Sequence, residues 1–198
     1  IVSAFSAFLY FHFRTSGKRM RYLAEFIGLL IIIELATLAL SQLYTKEIVR
    51  EPRPSQLYFV EKGVIENGGR EFFAMPMKEK ENYLRQRTEL SISDFSDVYP
   101  PILSSWSGDT TFSFPSGHSQ SSFFLGTAMS YVIYNVVPRR RRYLTLIPLA
   151  WALLVSLSRV VIGVHFPVDV TAGAIAGAAF AFVLISSKVS ARAIRRTA

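Results

Sequence analysis

Apolar residues fall in blocks along this chain, separated by polar, charge-rich stretches. Four blocks run long: Tyr22–Tyr44, Pro115–Val137, Tyr143–Val164 and Pro167–Ser187. A helix needs about 20 mostly apolar residues to cross a hydrocarbon core of roughly 30 Å. Each block is therefore predicted to be a membrane-spanning helix. A fifth, Ile1–Phe13, is apolar but short and begins without Met. It reads as the remnant of a longer helix, with His12 as a structural residue. A signal peptide is the rival reading, but no basic region precedes the block and no small-residue cleavage site follows it. The pattern predicts an all-α, polytopic membrane helical bundle, with residues 1–198 as a single membrane domain.

Residues 45–114 break the pattern. A stretch of about 70 residues is too long to be a mere connector. Lys78–Arg87 is charged and helix-favouring, with Pro76 just before it. The stretch 91–106 mixes acidic residues with Phe95, Val98, Tyr99, Ile102, Leu103 and Trp106. One or two short helices are expected here, near the membrane surface, as either a lid over a substrate entrance or a passive cap.

Charge then sets the orientation. The chain has 22 Lys/Arg against 14 Asp/Glu, a formal net charge of +8. An excess of this size invites a nucleic-acid partner, but its placement argues against one. Residues 45–114 lean acidic, and the surplus sits beside the apolar blocks. Arg14, Lys18, Arg19 and Arg21 form one cluster, Arg139–Arg142 a second, and Lys188, Arg192, Arg195 and Arg196 a third. Positive charge near helix ends marks the cytoplasmic side, and the three clusters alternate correctly with the blocks if all lie inside. The 45–114 stretch and the turn near His165 then fall outside. The four-Arg run also suits an anionic-lipid site. With no cysteine, a disulfide framework and Cys-ligated metal sites are excluded.

Two features inside the blocks are set apart from this. Gly173 and Gly177 form a GxxxG, expected to pack against a neighbour in the same bundle. Glu34, in the middle of an apolar block, is expected to be a hydrogen-bonded interior residue.

Three polar segments abut the blocks, all on the outside. Lys46–Pro54 (KEIVREPRP) offers Lys46, Arg50 and Arg53. Pro115–His118 (PSGH) opens the next block, and Ser158–Asp169 (SRVVIGVHFPVD) spans the turn between the last two. Arg matches phosphate oxygens bidentately and Lys adds a compact charge. Pro115 stands where a helix begins, so the backbone N–H groups of Ser116 and Gly117 are expected to point at an anion on the helix N-terminus. His165 and Asp169 are four apart around Pro167, which should open a helix. At that spacing the carboxylate accepts a proton from one ring nitrogen and leaves the other free to attack. Arg159 closes the preceding helix within reach of the same point.

Taken together, Lys46-x6-Arg53-Pro54, Pro115-Ser116-Gly117-His118 and Ser158-Arg159-x5-His165-x3-Asp169 resemble the three-part signature of the type 2 phosphatidic acid phosphatase superfamily. The order matches and every signature position is filled, over about residues 1–187. The resemblance implies a fold of six transmembrane helices, one of them expected upstream of Ile1, with 45–114 as an extracytoplasmic cap. It implies a multi-pass protein of the cell (inner) membrane with its active site on the periplasmic face. The implied activity is metal-independent hydrolysis of phosphomonoesters such as phosphatidylglycerophosphate and phosphatidic acid, without a cofactor. His165 would form a phosphohistidine, with Asp169 orienting it and His118 protonating the leaving oxygen. Lys46, Arg53, Ser116, Gly117 and Arg159 would bind the phosphoryl group, and Arg50 is left unassigned. The implied partners are a phospholipid or polyprenyl phosphate substrate and the bilayer, with no nucleic acid and no obligate protein. Undecaprenyl pyrophosphate or lipid A dephosphorylation, and non-catalytic binding of lipid phosphates, are the competing readings. The related vanadium haloperoxidases share the anion site, but the apolar blocks argue against a soluble protein.

Overall fold

The computed structural model describes residues 17–90 and 92–190. His12, Arg14, Arg192, Arg195 and Arg196 lie outside the described residues. Within them the chain is helical and has no strand.

The first helix, α1 (Gly17–Leu40), runs on through a widened π turn at Ser41–Thr45 and a last turn at Lys46–Val49. It stops at Arg50, whose backbone is left-handed (φ 51°). Pro52 follows two residues later, and the residue before a proline avoids helical geometry. After the 45–114 region come α6 (Gly117–Val136), α7 (Leu146–Val161) and α8 (Pro167–Ser186). Among the described residues three stretches, Ala24–Glu61, Arg139–Val161 and Pro167–Ser186, are long and apolar enough to cross a membrane. Their outward faces carry Ile31, Ile32 and Leu35 on α1, Leu153 and Leu154 on α7, and Phe182 and Val183 on α8, all exposed. A continuous apolar surface of this kind matches hydrocarbon as solvent rather than water.

The fourth expected span, Pro115–Val137, is helical but lies below the apolarity of the other three. The reason is its position: α6 packs along both α7 and α8. Its inward Ser119, Gln120 and Ser122 are buried in the bundle, so this helix does not need an apolar circumference. Contact with α8 is close because of Gly173 and Gly177. A Cβ on Gly173 would lie 2.4 Å from the Ser116 carbonyl oxygen, and one on Gly177 2.1 Å from that of Gln120. The GxxxG thus packs inside the bundle, against α6. Phe26, Phe124, Ala128, Val132, Ala181 and Leu184 fill the core between α1, α6 and α8. Behind α6, Arg139–Thr145 forms a tight 3₁₀ turn in which Arg142 stacks on the Tyr134 ring at 4.1 Å.

Residues 45–114 hold more structure than the one or two short helices expected. They form α2 (Pro54–Glu61), α3 (Arg70–Ala74), α4 (Met77–Leu90) and α5 (Pro100–Gly108). These share a core of their own, made of Phe59, Val64, Ile65, Phe72, Leu84, Phe95 and Leu103. The Phe59 and Phe95 rings meet edge to face at 5.6 Å, the arrangement that aromatic quadrupoles favour. This layer is tied to the turn between α7 and α8. Trp106 Nε1 donates to the Ile162 carbonyl (2.6 Å), and the Ser55 N–H donates to the Gly163 carbonyl (2.9 Å).

Candidate active site

The sequence-predicted residues converge where α1, α6, α7 and α8 end beneath the helical layer. Lys46 and Arg53 are both buried, each 3% exposed. Burying two cations is costly unless their donors are satisfied. Lys46 Nζ donates to the Phe112 carbonyl at 2.6 Å and lies 3.4 Å from Thr111 Oγ1. Arg53 is held on three sides. Its Nε donates to the Thr111 carbonyl (2.8 Å), its Nη2 to Thr111 Oγ1 (2.8 Å) and its Nη1 to the Val164 carbonyl (2.9 Å). Nη2 also pairs with Asp109 Oδ1 at 2.9 Å. The guanidinium is thereby fixed, and Nη1 sits 3.2 Å from His165 Nε2.

That contact defines the imidazole. Arg carries only donors, so Nε2 accepts and presents a lone pair, which places the ring proton on Nδ1. Nδ1 faces Asp169 Oδ2 at 3.4 Å and Ser113 Oγ at 3.3 Å. Pro167 opens α8, so Asp169 falls in its first turn, and Oδ2 also accepts the Phe166 N–H at 2.8 Å. The Ser113 hydroxyl donates to the same oxygen. The His–Asp pairing expected from a spacing of four is present. Burial, foremost, lowers the His165 pKa below that of free histidine, the Arg53 charge adding to it and the Asp169 hydrogen bond opposing it. The ring is therefore neutral at neutral pH.

Ser116 departs from its expected place. Its N–H donates to the Asp169 carbonyl at 3.1 Å instead of pointing at an open anion site. Its Oγ caps α6, accepting from the Ser119 N–H (3.4 Å) and hydroxyl (3.1 Å). The cause is the close approach of α8 at Gly173, which leaves no room for a ligand there. Ser116 thus joins the helix bearing His118 to the helix bearing Asp169. Gly117 and His118, one and two residues on, do face a cavity of about 470 Å³. Lys46, Arg53 and His165 line the same cavity, with Leu125 and Trp151 on its apolar side. Arg159 is not in that wall. It donates from Nε to Ser158 Oγ (3.2 Å), and its charge is felt at His118.

Several groups around the site escaped the sequence reading. Asp109, Thr111 and Ser113 lie just upstream of PSGH and supply partners to Arg53, Lys46 and Asp169. The signal for them was the run of polar residues at 109–111 directly before an apolar helix. Glu51 approaches the Asp169 carboxylate, whose Oδ1 is buried and accepts no hydrogen bond among the described residues. Glu34, set apart at first, faces Ser121, and Ser121 lines the cavity.

The class that the fold defines is a helical membrane protein, with His118, His165, Asp109 and the buried cations Lys46 and Arg53 around one cavity. Residues 23–192 match the PAP2 superfamily, and the chain belongs to it. It is 29% identical over 126 residues to phosphatidylglycerophosphatase B of Escherichia coli K12, covering 64% of this chain and 46% of that protein. A lipid A 4'-phosphatase of Bacteroides thetaiotaomicron is 36% identical over 83 residues, 41% of this chain and 34% of the relative. The Bacillus subtilis phosphatidylglycerophosphatase B is 35% identical over 68 residues, 33% of this chain and 34% of the relative. The chain thus spans less than half the length of each of these curated relatives.

Proposed function

We propose that this protein is a lipid phosphatase that cleaves phosphomonoesters such as phosphatidylglycerophosphate and phosphatidic acid through a phosphohistidine. The observation that supports this best is the His165 ring: a lone pair on Nε2 beside the Arg53 guanidinium, and Nδ1–H facing Asp169. A module that only bound phosphate would have no need of an oriented, neutral imidazole beside its arginine.

In this reading the phosphomonoester enters the cavity with its oxygens against Arg53, Lys46 and the start of α6 at Gly117. As the Arg53 N–H turns from Nε2 to a phosphoryl oxygen, His165 Nε2 forms a bond to phosphorus and the bond to the lipid oxygen breaks. That oxygen takes a proton from His118 and leaves as the lipid alcohol. Asp169 holds Nδ1–H and stabilises the positive charge on the phosphorylated ring. His118 then removes a proton from water, whose oxygen bonds to phosphorus as the P–N bond breaks. Inorganic phosphate leaves and His165 is restored. Phosphoryl transfer is driven mainly by positioning and charge stabilisation, which Arg53 and Lys46 supply, with the charge of Arg159 nearby. The apolar wall at Leu125 and Trp151 suits the carbon skeleton next to the cleaved phosphate. The positive-inside pattern supports a site, with the helical layer 45–114 over it, on the extracytoplasmic face of the cell membrane.

The test is inorganic phosphate release by detergent-purified protein with EDTA present. Phosphatidylglycerophosphate, phosphatidic acid and undecaprenyl pyrophosphate would be compared, with His165→Ala beside the wild type. Turnover that disappears in the variant is expected. Equal turnover in His165→Ala refutes the nucleophile, and a loss in EDTA that divalent metal restores refutes the metal-free chemistry.

A further inference from the structure

A second cavity, of about 390 Å³, adjoins the first and shares Lys46, Gln42 and Thr111 with it. Its charged lining is Lys46, Glu47, Arg50 and Lys80. Resting on the phosphatase reading above, we propose that this cavity receives a second phosphoryl group of the same substrate. The favoured lipids would then carry a phosphodiester a short carbon bridge away from the phosphomonoester that is cleaved.

Lys80 carries the argument. It projects from α4 and is only 7% exposed. Its ammonium lies 4.9 Å from the centre of the Phe112 ring and 5.8 Å from that of Phe72. Among the described residues no hydrogen bond or ion pair satisfies it. Ring faces attract a cation but accept none of its three N–H donors in the way an oxygen does. A lysine buried to this degree is almost always paired, so its ammonium is the group in this cavity suited to an anion. Burial lowers the Lys80 pKa, with Glu47 opposing and Arg50 reinforcing the shift, and a docked anion reverses that loss. Glu47 does not fill the role. Its carboxylate stands 3.6 Å from Arg50 Nη2, and the Arg50 Nε donates to the Glu47 carbonyl at 3.0 Å. With that pair close to neutral, Lys46 and Lys80 leave the cavity positive.

The position of Lys46 says which anion fits. It stands in the wall common to both cavities, so a group held between Lys46 and Lys80 lies beside a phosphoryl group held by Lys46 and Arg53. A phosphodiester joined to the reacting phosphate through a glycerol unit meets this geometry. Phosphatidic acid has no such second phosphate.

The experiment compares kcat/KM for phosphatidylglycerophosphate and for phosphatidic acid in the wild type, Lys80→Met and Arg50→Gln. Methionine keeps the Lys80 stem against its rings, and Arg50 is exposed, so its replacement leaves the core intact. Losing one charge-assisted contact should lower the ratio of the two values about tenfold in Lys80→Met, with a smaller fall in Arg50→Gln. A ratio unchanged in both variants overturns the proposal, whatever their absolute rates. No turnover of either lipid by folded wild type is instead a failure of the phosphatase reading. Calorimetric titration with dihexanoyl phosphatidylglycerol then decides the site: about tenfold weaker binding by Lys80→Met supports it, and equal binding overturns it. If the variant weakens only inorganic phosphate, the cavity holds a free anion, and the proposal of a substrate subsite fails.

Discussion

Arg53 and His165 lie 3.2 Å apart, guanidinium Nη1 to imidazole Nε2, although 112 positions separate them in sequence. The contact fixes the tautomer of the histidine and holds the guanidinium where the oxygens of an attacked phosphate would lie. Arg53→Lys keeps the charge but not the planar fork that engages Thr111, Val164 and Asp109 together. We expect kcat/KM for phosphate release to fall by about a hundredfold or more, with helix content retained by circular dichroism. Activity within a few fold of wild type would mean that charge alone suffices here.

Ser113 donates to the same Asp169 oxygen that faces His165. In Ser113→Ala the carboxylate keeps the Phe166 N–H but loses one of its restraints. The expected result is a lower kcat with KM nearly unchanged, by about tenfold, the scale of one hydrogen bond to a charged group. A change confined to KM would place Ser113 in substrate binding instead.

The lowered pKa of His165 fixes the sign of a pH effect. The reactive form is the neutral ring, and a pKa held below the ordinary value near 6.5 keeps the ring neutral further into the acid range. The acid limb of kcat/KM should therefore lie below pH ~6.5. In Asp169→Asn the favourable hydrogen bond to the charged ring weakens, so any limb that remains should move lower still. A shift upward would contradict the arrangement of Nδ1 and Oδ2.

Gly177→Val tests the packing that brings α6 and α8 together. With a Cβ only 2.1 Å from a backbone oxygen, the helices must separate. Overpacking of this kind costs about 1–3 kcal/mol, occasionally more. We expect a lower melting temperature in detergent, and reduced activity as well, because Ser116 and Asp169 separate with the helices. Gly28 is the control: a Cβ added there would meet nothing within 4 Å, and Gly28→Ala should leave the melt unchanged.

Much of the site was legible in the sequence because it is built from local geometry. Pro167 opening a helix put Asp169 one turn beyond His165, and the apolar blocks placed the three polar segments on one side. The partners of Arg53 and Lys46 were not legible. Three of them are backbone carbonyls, of Thr111, Phe112 and Val164, and no residue type announces an accepting carbonyl. The placing of Ser116 was missed for a related reason: its N–H is taken by a helix more than 50 positions away, whose approach depends on Gly173. The helical layer was underread because Phe59, Phe72, Leu84 and Phe95 form its core from separate short helices, without a sustained 3.6-residue period. Apolarity alone also overstated α6, whose polar face is covered by its neighbours.

That covering has a consequence for how the protein is made. A helix bearing Ser119, Gln120 and Ser122 is a weak candidate for holding itself in lipid by its own partitioning. Its shelter comes from α7 and α8, which a ribosome delivers afterwards. α8, emerging after α6 and α7, brings both the two glycines that clasp α6 and the carboxylate that faces His165. The shelter of α6 and the His165–Asp169 pair thus arrive together, and a chain halted before α8 has neither.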